Sequence, residues 1–195
     1  MSASRVWLSE YPNFNLMMGT HTEVCIVTGA SSGLGLEMTR NALANGERVV
    51  ATLRRPDVLK EFAAQYSSRQ LLVVQLDVTK PQEIKDAFVS AKETFGRVDV
   101  VFNNAGYIVA GEAEAIPDEP ARDMFEVNFW GAAHVSQEAV RFFRDENKPP
   151  GGRLLQTSAG VGLFSVPTAA FYGATKYGEL SNDFEYVPNK CMDTN

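Results

Sequence analysis

The stretch Thr28-Gly-Ala-Ser-Ser-Gly-Leu-Gly35 decides the fold of this chain. It follows the apolar run Val24–Val27, which predicts a short buried strand, and it leads into Leu34–Asn45, where apolar residues recur at helical spacing. A glycine-rich turn between a strand and a helix presents unpaired backbone N–H groups at the positive end of the helix, where proteins hold phosphate. The stretch therefore predicts a phosphate site, with a plain tight turn as the alternative.

Each glycine of this turn has its own predicted role. Gly29 allows the tight turn, Gly33 lets the backbone approach a pyrophosphate, and Gly35 lets the helix pack closely on the strand. The spacing G-x-x-x-G-x-G differs from the commoner G-x-G-x-x-G dinucleotide fingerprint, so the turn alone is a weak indication. The predicted cofactor loop also contains Ser31, Ser32 and Leu34.

Length, composition and charge limit the classes of protein that this chain can belong to. Its 195 residues, 45% apolar and 22% charged, are typical of one globular domain, and a net charge of −6 argues against nucleic acid as a partner. Cys25 and Cys191 make no disulfide framework, and His21 and His134 stand too far apart for a metal spacing. We see neither a leader nor an apolar run approaching the ~20 residues of a membrane span, so we expect a cytoplasmic protein without a membrane partner.

Short apolar strands alternate with helical stretches along most of the chain, which predicts an α/β fold with a doubly wound parallel sheet, a Rossmann fold. We expect an N-terminal extension over 1–22, this domain over 23–184 and an irregular tail over 185–195. The predicted strands are Val24–Thr28, Arg48–Leu53, Leu71–Leu76, Val98–Phe102 and Arg153–Thr157. The predicted helices are Leu34–Asn45, Asp57–Gln65, Ile84–Phe95, Glu119–Glu146 and Ala169–Phe184.

The residues that follow the second strand indicate which dinucleotide binds. An NAD-binding protein would carry an acidic residue there for the ribose 2′-hydroxyl, whereas this chain continues from Leu53 into Arg54 and Arg55. Arginine suits a 2′-phosphate because it is always charged and donates in a fork. The pair therefore favours NADP(H) over NAD, with a solvated basic pair as the alternative.

Other strand ends also carry polar or small residues that would meet at the same edge of the sheet. Asp77 and Val78 follow the third strand and could contact the adenine, and Asn104, Ala105 and Gly106 follow the fourth, where a ligand could approach the backbone. Each group alone is also compatible with ordinary turn chemistry.

A third group of residues comes from the last strand and the last helix. Ser158 follows the fifth strand, while Tyr172 and Lys176 are four residues apart and therefore share one helical face. A Tyr–Lys pair at this spacing is common, but the whole set in this order at one sheet edge is not a chance arrangement.

With these motifs in place, the chain from Val24 to Gly178 resembles the short-chain dehydrogenase/reductase family. The resemblance includes the TGxxxGxG loop, Asp77, NNAG and the Ser…Tyr-x-x-x-Lys set, and Asn128 falls at the position of the family's catalytic Asn. Arg54 resembles the corresponding residue of NADP-preferring members.

The resemblance implies a catalytic role for four residues. Tyr172 would exchange a proton with the substrate oxygen, Ser158 would orient that oxygen, and Asn128 would bind a water that connects Lys176 to solvent. Lys176 would hold the nicotinamide ribose and lower the pKa of Tyr172 from about 10. A cation at ~4 Å supplies the ~3–4 kcal/mol that this requires at an effective dielectric of ~20.

The substrate is indicated only by class. Apolar residues in the loop Ala159–Ala169 and in Tyr107–Val109 favour a hydrophobic alcohol or carbonyl compound, although they could simply pack against the sheet edge.

The resemblance ends soon after Lys176, where the family continues with a sixth strand, a substrate-covering segment and a seventh strand. We therefore expect the fifth strand to be an exposed apolar edge unless the tail or another chain covers it, and we expect the substrate pocket to lack one wall. The alternative function is a catalytically impaired nucleotide-binding or partner-binding protein. The oligomeric state, including a homo-oligomer, stays open.

Overall fold

The computed structural model describes residues 22–180. The predicted N-terminal extension, the tail over 185–195 and the predicted end of the last helix at Phe184 lie outside these residues. Within the described part of the chain, no helix is both long and apolar enough to cross a membrane.

Five parallel strands form one sheet in the order β3-β2-β1-β4-β5, which confirms the predicted doubly wound fold. The strands are β1 Val24–Thr28, β2 Arg48–Leu53, β3 Leu71–Gln75, β4 Val100–Asn103 and β5 Arg153–Gln156. The direction of strand order reverses between β1 and β4. Ligands of such sheets bind outside the strand ends at that reversal, so the fold itself points to the loops after β1 and β4.

Helices cover both faces of the sheet. They are α1 Gly33–Ala44, α2 Lys60–Ala63, α3 Pro81–Phe95, α4 Asp118–Phe125, α5 Ala132–Asp145 and α6 Ala170–Leu180. A π-helical segment, Glu126–Gly131, joins α4 to α5, and these three elements together match the single long helix expected over Glu119–Glu146. Gly96 has φ +85° and ends α3, as its position in the sequence predicts.

Two apolar clusters lie on opposite faces because successive strand residues point in opposite directions. Ile26 and Val50 face a cluster with α3 and α5, whereas Val27, Val49 and Ala51 face a cluster with α1 and α2. All five side chains are fully buried, and each of the valine and isoleucine side chains contributes about 1.5–3 kcal/mol to folding. Burial on both faces explains why the strands read as continuous apolar runs.

The structure differs most from the sequence predictions in the segment after β2. The helix expected over Asp57–Gln65 is a 3-10 turn, Pro56–Leu59, followed by the single turn α2. β5 is an edge strand of the sheet, as predicted; its residues are half-buried, and Leu154 packs against the α3–α5 cluster.

Candidate active site

The glycine-rich turn needs glycine at the positions that the sequence singles out. Gly29 and Gly33 have φ values of +68° and +55°, which favour glycine. A side chain on Gly35 would collide with the carbonyl oxygen of Gly29, so α1 can pack this closely on β1 only because Gly35 has none. Ser32 is the N-cap of α1 but makes no side-chain capping bond, so its hydroxyl does not occupy the first N–H groups of the helix.

Thr28 joins this turn to the loop after β4. Its Oγ1 accepts hydrogen bonds from the backbone N–H groups of Asn104 and Ala105 at 2.8 and 2.9 Å, and Asn104 Nδ2 donates to its carbonyl oxygen at 3.0 Å. The structure therefore brings two of the predicted cofactor segments together. Gly106 lies just beyond, and a Cβ there would stand 3.1 Å from Asn128 Oδ1.

Arg54 and Arg55 lie exposed directly after β2, at the same end of the sheet. Neither makes an ion pair or a side-chain hydrogen bond with another residue in the described part of the chain. Two arginines without such partners at this position are compatible with binding of a 2′-phosphate and also with the alternative, a solvated basic pair.

Asp77 and Val78 make contacts within their own loop and the core. Asp77 Oδ1 accepts from both the backbone N–H and the hydroxyl of Thr79, at 3.0 and 2.8 Å, which is an ordinary Asx turn. The Val78 side chain is buried, and a Cβ on Gly131 would come within 2.7 Å of it. A ligand at Val78 would therefore meet its backbone.

Asn128 lies in the π-helical segment, a feature that is frequent at functional sites. Its Nδ2 donates to the Tyr107 carbonyl at 2.8 Å and to Thr175 Oγ1 at 3.2 Å, while its Oδ1 accepts from the Tyr107 N–H at 3.0 Å. The buried side chain thus clamps the loop after β4 to α6. Both amide hydrogens are engaged, so a water at this side chain would have to donate to its oxygen.

The loop after β5 carries a hydroxyl group that has no internal partner. Ser158 Oγ is buried and makes no hydrogen bond within residues 22–180. Next to it in the chain, the Thr157 carbonyl accepts a hydrogen bond from Lys176 Nζ at 2.7 Å, and the Thr157 N–H donates to the Asn103 carbonyl at 3.0 Å. Lys176 therefore ties α6 to the loop that holds Ser158.

Lys176 also donates to Glu179 Oε2 at 2.7 Å and forms an ion pair with it, and the Glu179 charge acts on Tyr172 as well. Burial raises the pKa of Tyr172, and the Glu179 carboxylate raises it further. The lowering of this pKa by Lys176 in the presence of the cofactor stays a prediction. Tyr172 is held as a protonated phenol, which can donate a proton.

The sequence reasoning did not single out four residues that hold these groups in place. Thr28 and Thr175 stand inside the recognised motifs, so a search for side-chain partners within the motifs could have found them. Thr157 acts through its backbone carbonyl, which no side-chain pattern reveals. Glu179 is three residues after Lys176 and therefore on the same helical face, and that spacing was a usable signal.

The residues at this edge fit a dinucleotide. The turn after β1 needs glycine, the Ser32 hydroxyl leaves the start of α1 uncapped, and Ser158 offers a buried hydroxyl with no internal partner. Residues 22–180 contain no cluster of three or more His, Cys, Asp or Glu side chains that could hold a metal ion.

An apolar hollow of about 440 Å³ lies against α6. It is bounded by the loop residues Leu163, Phe164 and Val166 and by Gly173 and Tyr177 of the helix. Tyr172 and Lys176 do not line it, because they belong to the neighbouring helical face. The predicted apolar loop is thus present, but this hollow is not the space around the predicted catalytic groups.

Comparisons with known proteins agree with the fold and the motifs. Residues 23–181 match the family model described as short chain dehydrogenase. The chain is 40% identical to the Schizosaccharomyces pombe uncharacterized oxidoreductase C162.03 over 152 residues, which cover 78% of this chain and 50% of that protein. It is 30% identical to the Saccharomyces cerevisiae NADPH-dependent 1-acyldihydroxyacetone phosphate reductase over 156 residues, which cover 79% and 51%.

Among solved structures, the chain is similar to the alcohol dehydrogenase of the archaeon Thermococcus sibiricus complexed with 5-hydroxy-NADP. The two share 30% identity with a TM-score of 0.73, and the match covers 83% of this chain and 68% of that one. The chain spans about half the length of the two curated relatives named above.

Proposed function

Because the chain belongs to the short chain dehydrogenase family, we propose that it is an oxidoreductase that transfers hydride between NADP(H) and an alcohol or carbonyl group. The observation that carries this proposal is the buried Ser158 hydroxyl, which has no internal partner and follows β5 at the edge where the glycine turn lies. An unpaired buried hydroxyl costs folding free energy, about 1–3 kcal/mol, and a substrate oxygen would satisfy it.

The chain's own residues would handle the proton. The Tyr172 phenol donates its proton to the oxygen of a carbonyl substrate, or recovers one from an alcohol in the reverse direction. Ser158 holds that oxygen, and Lys176 holds the nicotinamide ribose through an N–H that Thr157 and Glu179 leave unused. Asn128 positions the loop after β4 against α6 and accepts a relay water through its oxygen.

NADP(H), when bound, supplies or accepts the hydride. We place its pyrophosphate at the glycine turn and the start of α1, its 2′-phosphate at the exposed arginines, and its adenine beside the loop after β3. The residues that hold it in this proposal are Gly29, Ser31, Ser32, Gly33, Leu34, Gly35, Arg54, Arg55, Asp77, Val78, Asn104, Ala105, Gly106, Tyr172 and Lys176.

Two observations support NADP(H) over NAD(H). Arg54 and Arg55 stand without an ion-pair partner in the described chain, where a 2′-phosphate would meet them. The yeast relative is named as NADPH-dependent, and the archaeal structure contains an NADP derivative. For the substrate we propose an apolar alcohol or carbonyl compound, from the apolar residues of the loops after β4 and β5.

Cofactor binding and turnover test the proposal in sequence. The purified chain is melted with NADPH and, separately, with NADH. A ligand that binds only the native state adds about 2.7 kcal/mol of stability at a hundredfold excess over Kd, so NADPH should raise Tm and NADH should raise it less. Turnover is then followed by nicotinamide absorbance with a panel of apolar ketones and alcohols. A cooperative melt that responds to neither nucleotide would overturn the proposal.

The second function predicted from the sequence, that of a catalytically impaired nucleotide-binding or partner-binding protein, is tested by the same assays. The chain would then bind the nucleotide, or a partner protein, without turnover. NADPH binding without oxidation of any alcohol or reduction of any ketone in the panel would support this second function over the first.

A further inference from the structure

Lys176 and Glu179 form a buried ion pair on one face of α6. The side chains retain only 5% and 3% of their exposure, and Nζ lies 2.7 Å from Glu179 Oε2. A lysine at this depth is stable only when its charge is compensated, and Glu179 compensates it here.

The ammonium is therefore largely committed before any ligand binds. Of its three N–H donors, one goes to the Thr157 carbonyl and one to Glu179, which leaves a single donor for a ligand hydroxyl. The pair carries no net charge, so a ligand group placed beside it meets a dipole rather than a cation.

We propose that Glu179 is a positioning residue that neutralises Lys176 and thereby lets the site accept the oxidised, positively charged nicotinamide as readily as the reduced, neutral one. The inference rests on the proposed function, because it needs the nicotinamide to lie beside Lys176. In this proposal Glu179 sets the relative affinity of the site for NADP+ and NADPH.

The sign of the effect follows from Coulomb's law. Without the Glu179 charge, the buried ammonium would repel the positive ring of NADP+ and leave the neutral ring of NADPH unaffected. Contacts to ribose and phosphates are common to both forms and cancel in the ratio of their dissociation constants. For charges several ångströms apart in a partly buried site we expect this ratio to change about tenfold.

The test measures Kd for NADP+ and for NADPH by titration calorimetry, with no substrate present. The titrations are run at about pH 8, well above the ordinary glutamate pKa of about 4.3, because burial raises the pKa of Glu179. Glu179→Gln should raise the ratio Kd(NADP+)/Kd(NADPH) about tenfold, and Glu179→Asp, which keeps the charge, should restore it. The control Glu126→Gln removes the same charge from an exposed position in the π-helical segment and should leave the ratio unchanged.

Lys176→Gln gives a second, opposite prediction. It leaves the Glu179 carboxylate uncompensated, so the ratio Kd(NADP+)/Kd(NADPH) should fall below that of the wild type. If Glu179→Gln does not fold, this variant tests the proposal in its place. A ratio unchanged in a folded Glu179→Gln or Lys176→Gln protein that still binds both nucleotides overturns the inference and leaves the proposed function intact. A wild-type chain that binds neither NADP+ nor NADPH, nor adenosine 2′,5′-bisphosphate, overturns both.

Discussion

Polar groups at the two ends of the parallel strands differ in whether they have partners. We call the end at which the strands finish the carboxyl edge and the end at which they begin the amino edge. At the carboxyl edge, Ser158 Oγ is buried without a partner and Arg54 and Arg55 stand without ion pairs in the described chain. At the amino edge, the polar groups bind one another. Asn147 is fully buried there and bridges three backbone groups, accepting from the Val98 N–H and donating to the carbonyls of Val98 and Gly151.

Charged groups at the amino edge form a connected set that we call the amino-edge cluster: Glu23, Glu47, Arg97, Asp99 and Arg153. Asp99 accepts from the Val24 N–H at 3.0 Å and pairs with Arg97 at 2.7 Å, while Glu23 is bonded by Arg153 and its N–H donates to Glu47. At the amino edge, hydrogen bonds and ion pairs between polar groups stabilise the sheet. At the carboxyl edge, several polar groups have no partner in the described chain and can bind a ligand.

The largest expected effect comes from removing the Tyr172 hydroxyl, the proposed proton donor at the carboxyl edge. Tyr172→Phe should lower kcat by about a thousandfold, because a positioned acid–base group contributes about 10²–10⁴-fold to such reactions. The NADPH Kd should stay near the wild-type value, since the ring remains. Steady-state kinetics and calorimetric titration measure the two quantities.

Tyr177→Phe is the matched control for that variant, because Tyr177 lies on α6 but is 66% exposed. It should keep wild-type kcat. Wild-type turnover by Tyr172→Phe would remove Tyr172 from the proposed mechanism.

At the amino edge the largest effect should fall on stability. Asp99→Asn removes a buried carboxylate that holds both a backbone N–H and a guanidinium, and it should lower the free energy of unfolding by about 2–3 kcal/mol. Urea denaturation measures this change, and the exposed control Asp86→Asn should stay within about 0.5 kcal/mol of wild type. The NADPH Kd of folded Asp99→Asn should be unchanged; a large loss of affinity would contradict the division between the edges.

Two arginine variants, one at each edge, test the same difference between the carboxyl and amino edges. Arg54→Ala should weaken NADPH binding about tenfold and leave NADH binding unchanged, because a charge-assisted bond to the 2′-phosphate is lost. Arg69 is also exposed but lies just before β3, at the amino edge, so Arg69→Ala should change neither Kd. Equal losses of NADPH affinity in the two variants would mean that Arg54 acts only through general charge.

The smallest expected effect concerns alkaline stability at the amino edge. Burial and then the nearby carboxylates of Glu23, Glu47 and Asp99 raise the pKa of Cys25 from 9.0 to about 12. Above pH 9 the unfolded thiol ionises while the native thiol stays protonated, so native stability is present below that pH and is lost as pH rises towards 12.

Between about pH 8 and 10 this linkage amounts to roughly 1 kcal/mol. Cys25→Ala should therefore show a shallower alkaline loss of unfolding free energy than wild type, whatever its stability at neutral pH. Parallel curves for the two proteins over that range would show that the native thiol ionises normally.

Much of the fold could be predicted from the sequence. Continuous apolar runs predicted all five strands, because a parallel sheet is buried on both faces and each strand must be apolar on both. Glycine ended α3 where expected because only glycine adopts its left-handed conformation without cost. The helix after β2 was predicted too long, since the apolar spacing over Asp57–Gln65 does not reveal that only α2 closes α-helical hydrogen bonds.

The sequence by itself also determined that the loops after the strands lie at the carboxyl edge, because parallel strands all end on one side and these loops follow them. Only the tertiary structure decided how the candidate site residues are held. Thr28 binds Asn104 across 76 residues, and Asn128 binds Thr175 across 47. Such partners are chosen by distance and angle in space. For the same reason a charge pattern along the chain does not say which partner a buried ammonium selects, and only the structure shows that Lys176 is paired with Glu179 and that burial and the Glu179 carboxylate raise the pKa of Tyr172.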